Sequence, residues 1–185
     1  MDQLIQYDQE LFIFLNTLGN TTWDQFWLIV THKLSAIPLY AILLFLIYRE
    51  FGLKGMFITI LVVAALITCA DQLANAFKHG IQRPRPCRAE GVQDLIRFVA
   101  PRCGRYGFFS GHATNSMALA VFIGLVFRTR FPFLIFGMLF WAAMTAYSRI
   151  YVGVHYPLDI LCGMIAGALL GWGAYLIHTK LKPKF

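Results

Sequence analysis

Apolar residues in this chain gather into five long runs separated by short polar clusters. The runs cover Trp23–Tyr48, Gly55–Phe77, Gly111–Phe127, Phe131–Ser148 and Pro157–His178. They approach the roughly 20 residues a helix needs to cross a hydrocarbon core of ~30 Å. The first is the least regular. Pro38 predicts a kink in it, and the polar triplet Thr31-His32-Lys33 blurs where the hydrocarbon begins. Residues 1–22 follow a different pattern. Leu4, Leu11 and Leu15, flanked by Ile5 and Phe12, form an apolar stripe, with Asp2, Gln3, Gln6, Gln9 and Glu10 largely away from it. That pattern predicts a short amphipathic helix, too polar to span and suited to lying on a membrane. Its acidic opening lacks the basic n-region of a cleavable signal peptide. Residues 79–109, rich in Arg, Pro and Gly, form the one long connector. The expected fold is therefore all-α: a polytopic transmembrane helix bundle of about five spans plus the N-terminal helix. No Ser/Gly-rich linker divides residues 1–185, so one domain is expected.

Composition agrees with a membrane class. The 185 residues are 58% hydrophobic and only 14% charged, against about a quarter charged for a soluble domain. A net charge of +7 points to anionic partners, here lipid headgroups or phosphate rather than nucleic acid. No nucleic-acid motif is present, and the basic residues sit at the ends of apolar runs. Five spans place residues 1–22, 79–109 and 149–156 on one side of the membrane. Arg49, Lys54, Arg128, Arg130, Lys180, Lys182 and Lys184 fall on the other, with Glu50 the only acid. Short basic loops favour the cytoplasm, so the polar connectors are expected to face outward. Cys87 and Cys103 both lie in the long connector, where an oxidising compartment permits a disulfide; two free thiols fit the spacing equally well.

The polar clusters carry the chemistry. "KHGIQRPRP" (78–86) closes the second run, "FSGH" (109–112) opens the third, and "SRIYVGVHYPLD" (148–159) joins the fourth to the fifth. In the five-span arrangement all reach the same membrane face. Lys78, Arg85 and Arg149 supply cationic donors, and a guanidinium fork matches phosphate oxygens bidentately. Ser110 suits a helix N-cap, which leaves free N–H groups at Gly111 and His112 for an anion. Pro157 suits the first position of the last helix, with Asp159 in its first turn, directed towards His155. Two histidines and one acid divide the labour of phosphoryl transfer. His155, held in one tautomer by Asp159, can attack phosphorus, while His112 protonates the leaving oxygen and later activates water. No cluster with metal-ligand spacing is present, so neither metal nor other cofactor is expected.

Lys78 with Arg85-Pro86, then Ser110-Gly111-His112, then Ser148-Arg149 with His155 and Asp159 together resemble the three-part signature of the type 2 phosphatidic acid phosphatase (PAP2) superfamily. Lipid phosphate phosphatases belong to it, and vanadium haloperoxidases share its site. The resemblance implies His155 as nucleophile, Asp159 as its partner, His112 as acid, and Lys78, Arg85, Ser110, Gly111 and Arg149 around phosphate. It implies hydrolysis of a phosphomonoester or diphosphate on a membrane lipid. Candidate substrates are a polyprenyl diphosphate, phosphatidylglycerol phosphate, phosphatidic acid or a lipid A-type glycolipid phosphate. The expected location is a bacterial inner membrane, with the site on the extracytoplasmic side. The chain departs from the family at Phe109, where Pro is usual, and in having five spans rather than six. The rival reading is a non-catalytic lipid-phosphate module of the same fold, whose mark would be a broken motif.

Other conspicuous residues receive blander readings. His32, His79 and His178 are expected to be structural, and Arg83 and Arg88 to be solvated or facing headgroups. Asp71, Asn75 and Lys78 share one helix face, where Asp71 is expected to be a hydrogen-bonded structural partner. Gly163, Gly167 and Gly171 recur every four residues and predict close helix packing within the bundle.

Overall fold

The computed structural model describes residues 2–181, so Lys182 and Lys184 of the basic tail lie outside the described residues. Six helices follow in order: α1 (Asp2–Thr17), α2 (Thr21–Thr31), α3 (Ile37–Ile81), α4 (Gly111–Val126), α5 (Leu134–Tyr151) and α6 (Pro157–Leu181). No strand occurs among the described residues; Pro84 and Tyr106 form an isolated bridge that pinches the connector. The expectation of an all-α fold holds.

α3 is two limbs rather than one rod. Gly52 sits at φ 63°, ψ −174°, a left-handed backbone open to glycine at no Cβ cost. Tyr40, Leu43 and Ile47 before it and Thr59, Val63 and Ile67 after it line one cavity, so the two limbs fold towards each other. Two apolar stretches, Leu34–Ile81 and Pro157–Leu181, are long enough by length and composition to cross a membrane, and Gly111–Val126 is apolar but shorter.

The first run is not a single helix. α2 stops at Thr31 because the chain turns extended at His32, whose Nδ1 accepts from Leu34 N–H and whose carbonyl accepts from Ser35 Oγ–H. A 3₁₀ turn (Lys33–Ala36) follows, and Pro38 lies in the first turn of α3, where a missing N–H costs nothing. The polar triplet thus ends one helix instead of sitting in the middle of a span.

α4 is the hub, packed against α3, α5 and α6. Ala113, Ala118, Ala120 and Phe122 on it are fully buried, and a helix covered on every side shows no amphipathic period. α6 reaches it through the glycine ladder. A Cβ on Gly163, Gly167 or Gly171 would lie 2.8 Å from Ser110 O, 2.3 Å from Thr114 O and 2.4 Å from Ala118 O. Outward faces are apolar: Phe133, Phe136 and Phe140 near and along α5, and Ile165, Leu169 and Trp172 on α6, are exposed.

α1 turns a mixed polar and apolar face to the protein. Its buried stripe is Asp8, Phe12 and Asn16, while Leu4, Tyr7, Leu11, Phe14 and Leu18 face outward. The reason is that protein partners satisfy the two polar groups. The Asn16 amide donates to the carbonyls of Arg97, Ile150 and Tyr151 and its oxygen accepts from Arg97 N–H at 2.7 Å. That residue fastens α1, the connector and the end of α5 together. The connector is closed by a Cys87–Cys103 disulfide, which resolves the alternatives left by the spacing.

Candidate active site

The end of α5 makes a turn that aims His155. Its last turn gives way at Val152, and Gly153 takes φ 83°. A Cβ at Gly153 would meet Arg97 O at 2.8 Å, so both backbone and space favour glycine there. Val154 N–H and His155 N–H then fold back onto Arg149 O, at 3.1 and 3.3 Å. The connector is stitched to this turn through Val99 and Ala100 N–H to Val152 O.

His155 is 2% exposed and Asp159 is fully buried. One carboxylate oxygen, Oδ2, lies 3.3 Å from His155 Nδ1 and accepts Tyr156 N–H at 3.1 Å. Asp159 also fixes the next motif, because its carbonyl accepts Ser110 N–H at 3.0 Å. Ser110 caps α4 through Ala113 N–H at 3.5 Å, and its own hydroxyl is buried. Gly111 opens α4 beneath Lys78: a Cβ there would lie 3.6 Å from Lys78 Nζ. His155 also hydrogen-bonds to the backbone of Gly107. A Cβ on that glycine would strike Asp159 Oδ2 at 2.8 Å, so the Arg-Tyr-Gly stretch must be bare at this point.

Three cations converge on this histidine. Burial first, then the charges of Arg85, Arg149 and Lys78, push His155 well below the ordinary imidazole value. Arg85 is held by its Nε–H donating to Tyr106 O at 3.0 Å, and its guanidinium lies along Gly104. Burial lowers the Arg85 pKa, opposed by Asp159. Arg149 donates to Thr31 Oγ1 at the end of α2, while its buried Nε finds no hydrogen-bond acceptor. Grouped positive charge with an unused buried donor is chemically suited to an anion with several oxygens. The structure thus assembles Lys78, Arg85, Ser110, Gly111, Arg149, His155 and Asp159 around one point. No group of three or more His, Cys, Asp or Glu able to hold a metal ion occurs among the described residues.

His112, half-buried in the first turn of α4, lines one end of a cavity of about 560 Å³. Asp71 and Asn115 line that end too and are joined by Asn115 Nδ2–H to Asp71 Oδ1 at 2.8 Å. Asp71, exposed on α3, therefore has a hydrogen-bonded structural partner. The shaft beyond is apolar, walled by Leu43, Leu44, Val63, Ile67, Leu119 and Trp141.

Two functional neighbours were not predicted. Arg83, expected to be solvated, donates to Asp159 Oδ1 at 3.0 Å and to Asp8 Oδ2 at 2.6 Å. Asp8 comes from the far end of the chain. Arg83 stands two residues before Arg85 in "RPRP", but spacing cannot tell a phosphate ligand from a carboxylate clamp.

Comparison with known proteins agrees with this geometry. The family model described as "PAP2 superfamily" matches residues 54–183. A lipid A 4'-phosphatase of Bacteroides thetaiotaomicron is 36% identical, over 98% of this chain and 81% of its own length. Another, of Porphyromonas gingivalis, is 33% identical over 100% and 78%. A crystal structure of a transmembrane PAP2-type phosphatidylglycerolphosphate phosphatase from Bacillus subtilis superposes with a TM-score of 0.76 at 19% identity, covering 100% of this chain and 90% of that one. Motifs scattered over 82 residues of sequence close around one histidine here, relatives align along almost the whole chain, and the chain belongs to the PAP2 superfamily.

Proposed function

We propose that this chain is an integral membrane phosphatase that hydrolyses a phosphomonoester on a lipid A-type glycolipid through a phosphohistidine at His155, without a metal ion. Hydrolysis of a lipid phosphate is the common ground of its relatives; the choice of glycolipid follows from the two full-length relatives that carry that name.

One observation carries the reading: a cationic pocket and an apolar shaft meet at the start of α4. Lys78 Nζ and Asp71 Oδ1 lie within 3.6 and 3.9 Å of where a Cβ on Gly111 would stand, and His112, the next residue, lines the shaft with Asp71. Asp71 and Thr59, twelve residues apart on one limb of α3, set the shaft's ends about 18 Å apart at 1.5 Å per residue. That length accommodates one acyl chain, with the phosphate left among the cations.

The chemistry is a double displacement. Asp159 holds the Nδ1–H tautomer, so the Nε2 lone pair of His155 attacks phosphorus and the P–O ester bond breaks. The protonated His112 gives its proton to the departing sugar oxygen. Neutral His112 then takes a proton from water, the resulting hydroxide attacks phosphorus, and the P–N bond breaks to release phosphate and restore His155. Arg85, Arg149, Lys78 and the N–H groups at the start of α4 balance charge on the equatorial oxygens.

In this reading five helical segments cross the membrane: the two limbs of α3, α4, α5 and α6. α1 and α2 lie at the outer surface, with Leu4, Leu11 and Phe14 turned to lipid. The contact of Arg130 with Glu50 at 3.9 Å supports one common basic end for the two short loops. The Cys87–Cys103 disulfide supports an oxidising compartment for the site, the outer face of a bacterial inner membrane.

The test is phosphate release from lipid A, polyprenyl diphosphate and phosphatidylglycerol phosphate in detergent with chelator present. Turnover of lipid A is expected to survive chelation and to fall by at least about 10³-fold in folded His155→Ala, given the loss of a nucleophile. Binding without turnover on every lipid would favour the non-catalytic reading instead.

A further inference from the structure

Asp8 lies outside every motif and Arg83 is not one of the signature positions of the first, yet the pair is joined directly to the acid beside the nucleophile. Asp159 spends Oδ2 on His155 and Tyr156 N–H, which leaves Oδ1 in a fully buried place. Arg83 Nη1–H fills that need at 3.0 Å, and its Nη2–H donates to Asp8 Oδ2 at 2.6 Å. The other oxygen of Asp8 accepts Leu158 N–H at 2.8 Å, one of the free donors at the start of α6. Asp8 is 4% exposed. The guanidinium lies 4.1 Å above the Tyr156 ring, and Phe12 of α1 meets the same ring edge-on at 5.3 Å. Arg83 is therefore fixed on its face and on both of these nitrogens.

We propose that Arg83 and Asp8 are positioning residues for the reaction: Asp8, on the N-terminal helix, orients Arg83, and Arg83 holds the Asp159 carboxylate in the rotamer that keeps His155 aimed at phosphorus. The proposal rests on the assignment of His155 and Asp159 made above. Three features separate Arg83 from Lys78, Arg85 and Arg149. Its charge is shared between two carboxylates, its fork is occupied, and its charge is not among those that depress His155 most. Arg83 is thus a guide for a carboxylate and not a ligand of phosphate. α1 becomes part of the catalytic apparatus, although it carries none of the reacting groups.

The experiment is steady-state phosphate release from lipid A in detergent by wild type, Asp8→Asn, Arg83→Gln, Arg83→Lys and the double variant Asp8→Asn/Arg83→Gln. Thermal melts are run alongside. Asp8→Asn keeps an oxygen for Leu158 N–H while removing the negative charge that faces Arg83, so it is the variant that tests the relay if Arg83→Gln does not fold. The expected result is a fall in kcat of about 10–100-fold in either single variant, the scale of lost outer-layer orientation. KM should stay within about threefold. The double variant is expected to be no worse than Arg83→Gln, because Asp8 acts through Arg83. Arg83→Lys should recover only part of the loss, since one ammonium replaces a two-sided fork. A rise in KM with kcat unchanged would make Arg83 a substrate contact and overturn the proposal. Losses that add in full would also overturn it. His155→Ala run in parallel separates the two ideas: turnover surviving without His155 sinks the nucleophile assignment, whereas a dead His155→Ala beside a wild-type Asp8→Asn sinks the relay alone.

Discussion

His155 shows how neighbours set the state of a single residue. Burial and the charges of Arg85, Arg149 and Lys78 all oppose a proton on its ring, so the imidazole stays neutral below the pH at which a free one would charge. The sign for stability follows. The unfolded chain binds a proton near pH 6.5 and the folded chain only at lower pH. The contribution is complete above 6.5 and is lost as pH falls towards the folded value. Wild type in phosphate-free detergent is expected to lose more melting temperature between pH 7 and pH 5 than His155→Asn does. Parallel pH slopes for the two proteins would refute this. That Lys78, Arg85, Ser110, Arg149, His155 and Asp159 belong together was legible in the sequence, because each motif's internal spacing fits one turn or one helix start. Asp8 and Arg83 were not: their contact spans 75 residues, and a buried aspartate on a surface helix leaves no period to read.

Among the elements, α4 and α6 show why glycine spacing mattered. In lipid, helices gain little from burying apolar area and depend on close contact instead. Gly167 approaches so near that a Cβ would stand 2.3 Å from Thr114 O, whereas a Cβ on Gly173 would meet nothing within 4 Å. Gly167→Ala must push the helices apart and is expected to cost about 1–3 kcal/mol as overpacking. Gly173→Ala should be neutral or stabilising by up to about 1 kcal/mol from helix propensity. Melting both variants in detergent checks the contrast, and equal melting temperatures would rule it out. The ladder was readable in advance, as were the starts of α4 and α6. The end of α2 was misjudged because apolar residues resume directly after Thr31-His32-Lys33, while local hydrogen bonds accepted by His32 break the helix.

Over the whole molecule, the basic loops at one end and the disulfide-closed connector at the other give the chain two unlike poles. Arg130 and Glu50 bring both short loops together, and Arg88 Nη2–H donates to Cys103 O beside the disulfide at the opposite pole. Intact cells carrying Asp94→Cys should react with a membrane-impermeant maleimide, and those carrying Lys54→Cys should react only after lysis. The reverse pattern would invert the proposed orientation. The all-α class was evident from hydropathy alone, but the way α1 and α2 pack at the site depends on long-range polar contacts with no signature in composition.

Asn16 also sets a schedule. Its three acceptors include Tyr151 O, 135 residues further along, and His155, the proposed nucleophile, follows four residues after that. At 5–20 residues per second, synthesis of that interval takes on the order of 10 s. Until it is complete, neither the Asn16 amide nor the Asp8 carboxylate can have its full set of partners. A ribosome-bound chain therefore cannot be active until its last third arrives, and the first helix made is among the last to dock.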